Sequence, residues 1–221
     1  MSMYIVSTPI GNLADITIRA VETLRSVDLV LAEDTRRTGL LLKHYDMHKQ
    51  MSSFNEHNCR HKTKFVVEEL KKGKDIALVS DSGTPGISDP GFYLARECAA
   101  NNINIIPVPG PTAFVSALVC SGLPTDRFTF YGFLPKKEGK KKELLEEIKK
   151  RNETAILYES PYRLLNDLEL IGKIMPSHQI VIARELTKKF EEFIRGTASD
   201  ILKKIGNKEV KGEIVLIIGK S

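Results

Sequence analysis

Apolar residues fall along the first half of the chain in two alternating textures: short unbroken runs, and longer stretches where they return every third or fourth position. The short runs read as strands covered on both faces and the longer stretches as amphipathic helices. Tyr4-Ile5-Val6-Ser7 is the first predicted strand and Val27 to Glu33 the second, with Asp15 capping a helix between them that reaches about Leu24. Helices near 36–45 and 61–72 follow, then a strand at Ile76-Ala77-Leu78-Val79, a helix from Phe92 to Ala100, a strand from Ile103 to Val108 and an apolar helix from Ala113 to Cys120. This βαβα rhythm predicts a mainly parallel sheet with helices on its faces. Ser121-Gly122-Leu123-Pro124-Thr125 interrupts it and sets a boundary between one domain over 1–122 and another over 127–221.

Beyond the break the runs look more antiparallel: Phe128 to Phe133, Thr154 to Tyr158, Gln179 to Arg184, Glu191 to Arg195 and Glu213 to Ile218, with helices at about 140–150, 161–174 and 198–205. Ser160-Pro161 reads as a capping hydroxyl followed by proline in the first helical turn. The predicted fold class is α/β, two α/β domains with a mainly parallel and a mixed sheet, and a ligand cleft between them.

The chain, 221 residues with 42% hydrophobic and 28% charged, can bury a sizeable core and has the balance of a soluble protein. Its longest uncharged stretch, Cys98 to Thr125, carries four prolines and three asparagines, which excludes a single membrane-spanning helix. No signal-peptide pattern precedes the apolar run at Tyr4, and Cys59, Cys98 and Cys120 lack pair spacing, so a reducing cytoplasm is expected. Cys98 and Cys120 are expected to be buried thiols. The formal charge of +5 is concentrated: residues 136–151 hold eight Lys/Arg against four Glu. That segment reads as a solvated helix with Leu144, Leu145 and Ile148 inward, whose basic face can also track phosphates.

The chemistry centres on Ser80-Asp81-Ser82-Gly83-Thr84-Pro85-Gly86-Ile87-Ser88-Asp89-Pro90-Gly91, directly after the Ile76–Val79 strand. Its glycines allow close backbone approach, its prolines stiffen it, and Asp81 puts a carboxylate at a strand tip, where open α/β sheets bind ligands. Asp89 and Pro90 read as N-cap and first helical residue. Walker-type, G-x-G-x-x-G and G-x-S-x-G signatures do not occur. The spaced pairs His44/His48 and His57/His61 sit in Lys-rich surroundings, which favours surface histidines, and no metal is expected.

Nine segments in order then carry a resemblance: Thr8-Pro9-Ile10-Gly11-Asn12-Leu13, Ala32-Glu33-Asp34-Thr35-Arg36, the Ser80–Gly91 loop, Pro109-Gly110-Pro111-Thr112, Ser121 to Thr125, Gly132-Phe133-Leu134-Pro135, Tyr158-Glu159-Ser160-Pro161, Ala183-Arg184-Glu185-Leu186-Thr187-Lys188 and Lys211-Gly212-Glu213-Ile214. Together the chain resembles the bacterial methyltransferases that modify the ribose 2′-oxygen of a small-subunit ribosomal RNA cytidine, within the tetrapyrrole methylase fold. Many members of that family run on for a further small C-terminal segment. The resemblance implies S-adenosylmethionine in a cleft between the two domains, lined by Pro9, Ile10, Asp81, Gly83, Ile87, Thr112, Ala113, Tyr158, Ala183, Gly212, Glu213 and Ile214. It also implies ribosomal RNA or the small subunit as partner, and a homodimer.

Methyl transfer depends mainly on positioning, with help in removing the hydroxyl proton. Candidate bases are Glu33, Asp34, Glu159 and Glu185, each of which reads first as a structural partner and only second as a base. Arg36, Arg37, Lys136, Lys137, Lys140, Lys141, Lys142, Arg163 and Arg184 are candidates for gripping phosphates. Two other readings stand beside this one: a tetrapyrrole-precursor or protein methylase of the same fold, and a non-enzymatic RNA-binding module. The Glu33-to-Arg37 and Tyr158-to-Pro161 runs favour RNA, and the Asp81 loop favours an enzyme.

Overall fold

The computed structural model describes residues 1–206 and 208–220, which form two compact units, Met1–Thr112 and Ala113–Ser221. In the first unit, β1 (Ser2–Val6), β2 (Leu29–Ala32), β3 (Met51–Ser53), β4 (Ile76–Val79) and β5 (Asn104–Val108) form one sheet in the order β3-β2-β4-β1-β5, every pair parallel. Every residue of β2 and β4 is buried, because both faces of the sheet are covered. On one side α1 (Ile18–Ser26) and α2 (Thr35–His44) close over Val6, Val30, Ala32, Ala77 and Val79; on the other, α3 (Cys59–Lys71) and α4 (Phe92–Ala100) close over Met3, Leu31, Ile76 and Leu78. The chain leaves β1 and β2 toward one edge of the sheet and leaves β4 toward the other. Right-handed crossovers put the two helix pairs on opposite faces, and the loop after β4 sits at the topological switch.

Several expected boundaries move. A short 3-10 turn, Leu13–Asp15, takes the place of the helix expected at Asp15; α1 begins after Thr17, whose hydroxyl accepts from Ala20 N at 3.1 Å. Asp89 does not cap α4. Gly86 and Ser88 carry left-handed turns, so the chain enters the helix at Gly91, which makes no side-chain cap bond. The edge strand β3 carries no apolar run and exists through its pairing with β2.

In the second unit β6 (Phe128–Phe133), β7 (Thr154–Glu159), β8 (Ile180–Arg184), β9 (Glu192–Gly196) and β10 (Ile214–Ile218) form a sheet ordered β6-β7-β10-β8-β9, parallel between β6 and β7 and antiparallel elsewhere. Helices α6 (Glu138–Arg151), α7 (Leu164–Ile174) and α8 (Ala198–Ile205) bury Leu145, Ile148, Leu168, Ile171 and Ile201 against Leu157, Ile182 and Leu216. Helix α5 (Ala113–Ser121) packs against β7, β8 and β10. That packing moves the division expected at 122–127 to Thr112/Ala113, because an apolar helix belongs with the sheet that buries it. Pro161 lies in a turn ahead of α7, which starts at Leu164 after Arg163. Cys98 is buried as expected, but Cys120 is exposed at the end of α5.

Candidate functional site

In the first unit three strand-end loops are tied into one rigid cluster. Thr8 N donates to Gly83 O at 2.9 Å and Gly83 N to Thr8 O at 3.0 Å, so the loop after β1 pairs with the loop after β4. A hydroxyl chain extends the tie to the loop after β5: Ser7 Oγ lies 2.8 Å from Thr84 Oγ1, which lies 2.7 Å from Thr112 Oγ1. Gly83 sits at φ +83°, where a side chain is strained, and an added Cβ there would also press on Ile10 Cγ2 at 3.4 Å. The cluster thus brings together Pro9, Ile10, Asp81, Gly83 and Thr112, while Ile87 is held one turn on by its N–H to Thr84 O at 3.3 Å. Beside it a cavity of about 140 Å³ is lined by Thr8, Pro9, Leu13, Arg37, Ser80 and Asp81. A whole small-molecule ligand fills roughly 300 Å³ or more, so this recess takes one part of a ligand.

The carboxylates here have distinct roles. Asp81 Oδ1 accepts from Asp34 N at 2.9 Å and Oδ2 stands 3.5 Å from Arg37, which orients the group while leaving part of it open. Glu33 Oε2 accepts from Asp81 N at 3.3 Å. Asp34 caps α2 and takes two bonds from the Arg36 side chain, at 3.0 and 2.7 Å; these bonds hold its carboxyl down at about 2 and leave it no basicity. Asp89, which the sequence pattern spends on a cap, instead folds back to Ser80. Burial first, then the Glu33 and Asp81 charges, raise it to about 6, against the Ser80 hydrogen bond. Local sequence carries no sign of this, because a DP pair before a helix looks the same whether or not it caps.

In the second unit Tyr158, Val215 and Ala183 stand in one row across β7, β10 and β8. Tyr158 is packed edge-on against Phe130 and Phe133, with centroids 5.0 and 5.6 Å away, and Phe130 stacks on Phe114 at 4.6 Å beside Ala113. The neighbouring row is Glu159, Ile214 and Arg184, whose side chains face the opposite side of the sheet. Ile214 is accordingly a core residue, 3% exposed, on the face away from Tyr158 and Ala183.

Two candidate bases in this unit are occupied by structural partners. The Glu185 carboxylate lies over Gly212, where a Cβ would come within 2.5 Å of it, and Oε1 takes Glu213 N at 2.9 Å and Lys188 Nζ at 2.8 Å. Those bonds, Lys188 first, hold it below the usual carboxylate range. Glu159 is fully buried: Oε1 takes Arg163 at 2.7 Å and Ser160 N at 2.7 Å, and its neighbour Asp167 is paired with Lys141. Burial raises Glu159 to about 7, and the hydrogen bond and charge of Asp167 add to it, against Ser160 N and Arg163. Among the described residues Glu159 Oε2 and Asp167 Oδ2 have no donor, and the proton that Glu159 holds when neutral supplies one there.

The basic candidates divide in the same way. Lys136, Lys137 and Lys140 are exposed, and Lys142 is exposed in a surface pair with Glu138 at 2.8 Å. Lys141 points inward to Asp167, Arg163 bonds Glu159 and Leu134 O, and Arg184 bonds Glu192 and Lys211 O, so these three are held by the protein. Arg36 and Arg37 stay largely exposed at the N-terminus of α2.

Residues 2–202 match the family model of Tetrapyrrole (Corrin/Porphyrin) Methylases. Proteins named ribosomal RNA small subunit methyltransferase I are similar over nearly the whole chain. That of Buchnera aphidicola is 48% identical over 98% of this chain and 77% of its own length, and that of Thermotoga maritima 47% identical over 98% and 97%. The crystal structure of uroporphyrin-III-C-methyltransferase from Thermus thermophilus superposes with a TM-score of 0.65 at 19% identity, covering 99% of this chain and 94% of that one, a likeness of fold.

Proposed function

The chain belongs to the tetrapyrrole methylases and, among them, to the ribosomal RNA small subunit methyltransferase I family, and on that premise we propose that it methylates the ribose 2′-oxygen of a cytidine in small-subunit ribosomal RNA, with S-adenosylmethionine as donor. The observation that carries the reading is the oriented, partly open Asp81 carboxylate at the sheet's switch point, on the wall of the recess it shares with Thr8, Pro9 and Arg37. An oriented anionic group on the wall of a recess suits a ligand that carries an ammonium and a sulfonium. When bound, the donor supplies a methyl on a positively charged sulfur, ready for in-line displacement. The chain's own residues hold and orient: Asp81 anchors positive charge, Pro9 and Leu13 wall the recess, and the Ser7–Thr84–Thr112 chain keeps the loops from drifting apart.

Proton removal from the ribose hydroxyl needs one acceptor near neutral pH. Asp34 and Glu185 are spent on their cations, and Glu159 is sealed in the core. Asp89, at about 6, has the affinity that role requires, with Glu33 beside it. The exposed Arg36, Arg37, Lys136, Lys137 and Lys140 are the phosphate contacts of this reading. Its setting is the cytoplasm, where ribosomal RNA is made and assembled, and its form a homodimer; no helix among the described residues is long and apolar enough to cross a membrane.

Mass mapping of small-subunit RNA after incubation with enzyme and labelled donor tests the reaction. Label on a cytidine ribose is the expected result. Label on a base overturns the assignment, and label found only on a porphyrin precursor moves it to the tetrapyrrole reading. In calorimetry, Asp81→Ala is expected to weaken donor binding by at least tenfold while the protein stays folded; wild-type affinity in that variant removes Asp81 from the site.

A further inference from the structure

On the surface of the first unit, α3 and α4 carry a ladder of alternating arginines and aromatic rings. The Arg60 guanidinium lies 4.9 Å from the Tyr93 ring centroid and donates to the Tyr93 hydroxyl at 2.8 Å. Arg96 lies 5.3 Å from Tyr93 and 5.6 Å from Phe92, and the two rings meet edge-on at 5.6 Å. Phe92 is 64% exposed, although it is a large apolar side chain at the first position of a helix. Burial does not account for it: the core beneath α4 is closed by Leu94 and Cys98, both fully buried. Basic side chains flank Arg60 on α3, and the stripe turns acidic only at Glu68, two turns on. Lys64 lies one turn beyond Arg60 on the same stripe of α3, and His61 is exposed beside it. Glu97 stands 3.8 Å from Arg96, a loose exposed pair that a phosphate can displace.

We propose that this ladder is a docking surface for unpaired nucleotides of RNA, with a base stacked on Phe92 and the flanking phosphates on Arg60, Lys64 and Arg96. The proposal rests on the ribosomal RNA reading above and adds where single-stranded substrate is held. Planar guanidinium groups stacked on aromatic faces offer what a splayed-out base needs, an apolar plane next to fixed positive charge. Bases inside a duplex have their faces covered by their neighbours and cannot use such a plane. Tyr93, clamped by Arg60 and Arg96, keeps the ladder in place without a ligand, which lowers the ordering cost of binding.

Fluorescence anisotropy with a labelled, non-self-complementary oligoribonucleotide of about a dozen nucleotides, alone and as a duplex, tests it on the whole chain. Phe92→Ala is expected to weaken single-strand binding about 5- to 150-fold, the loss typical of one stacked base, and to leave duplex binding near wild type. Phe92→Tyr is expected to restore it. Arg60→Ala with Arg96→Ala is expected to lower the slope of log affinity against log salt by about 1.4. Unchanged single-strand affinity in a folded Phe92→Ala protein overturns the proposal. So does a Phe92→Ala protein that falls from dimer to monomer in sedimentation with its affinity per protomer intact, which would assign the face to a second copy. Methylation assays separate the two readings: a wild type that leaves ribosomal RNA unlabelled fails the reaction assignment, whereas labelling by Phe92→Ala at wild-type KM fails the docking surface alone.

Discussion

Replacing Lys141 by methionine should destabilise the fold far more than the same change at its neighbours Lys140 and Lys142. All three lie in one basic run, but the Lys141 side chain is 11% exposed and its ammonium is paired with Asp167, whose side chain is 1% exposed. Lys141→Met leaves that carboxylate buried without its cation, beside a second buried carboxyl, Glu159. Breaking a buried pair by removing one partner costs about 3–5 kcal/mol. Against a typical stability of roughly 5–15 kcal/mol this is a large fraction, and in a chain of this size it lowers Tm by about 6–20 °C. Lys140 and Lys142 are exposed, and their methionine variants should stay within about 0.5 kcal/mol of wild type. Urea unfolding followed by circular dichroism reads all three. Adding Asp167→Leu to Lys141→Met should recover most of the loss, since an apolar pair of similar volume can replace a buried ion pair at little cost. A Lys141→Met protein with the wild-type unfolding midpoint and reduced RNA affinity refutes the reasoning, because it would place that lysine on phosphate.

Glu159 binds its proton more tightly folded than unfolded, so its contribution is unfavourable once it ionises: stability is lost as pH rises from about 4.5 to about 7, by on the order of 2–3 kcal/mol. Glu159→Gln should therefore gain on wild type across that window in urea titrations; a constant difference at every pH would show that Glu159 does not titrate there. Asp89→Asn should lower kcat for ribose methylation by about 10²- to 10⁴-fold and abolish a rising limb of the pH profile centred near 6. A limb that survives in the asparagine variant assigns it to another group.

The strands that shape the fold could be read from the chain because their environment is uniform. β2 (Leu-Val-Leu-Ala) and β4 (Ile-Ala-Leu-Val) are covered on both faces, so every position must be apolar and the run stands out. The Ser80–Gly91 loop was legible for a related reason: left-handed turns at Gly83 and Gly86 demand glycine, and such demands show in composition. The family, too, is legible in the chain, because the nine segments that carry the resemblance are short and keep their order. β3 could not be read this way, since Met51-Ser52-Ser53 has no pattern of its own and is a strand only because β2 offers it an edge.

Side-chain partners were the part that only tertiary structure decided. Four candidate bases and nine candidate phosphate contacts are alike as letters. Asp34 is taken by Arg36 two residues away, Glu185 by Lys188 and by the backbone of Glu213, and Lys141 by Asp167, 26 positions along the chain. Asp89 moved the other way, from a cap to a basic carboxylate, because burial and two neighbouring charges raise its proton affinity. Backbone conformation and burial of apolar surface act through local pattern, which a sequence displays. The charge state and availability of a polar group depend on what stands within a few ångströms of it, and those neighbours are assembled only by the fold.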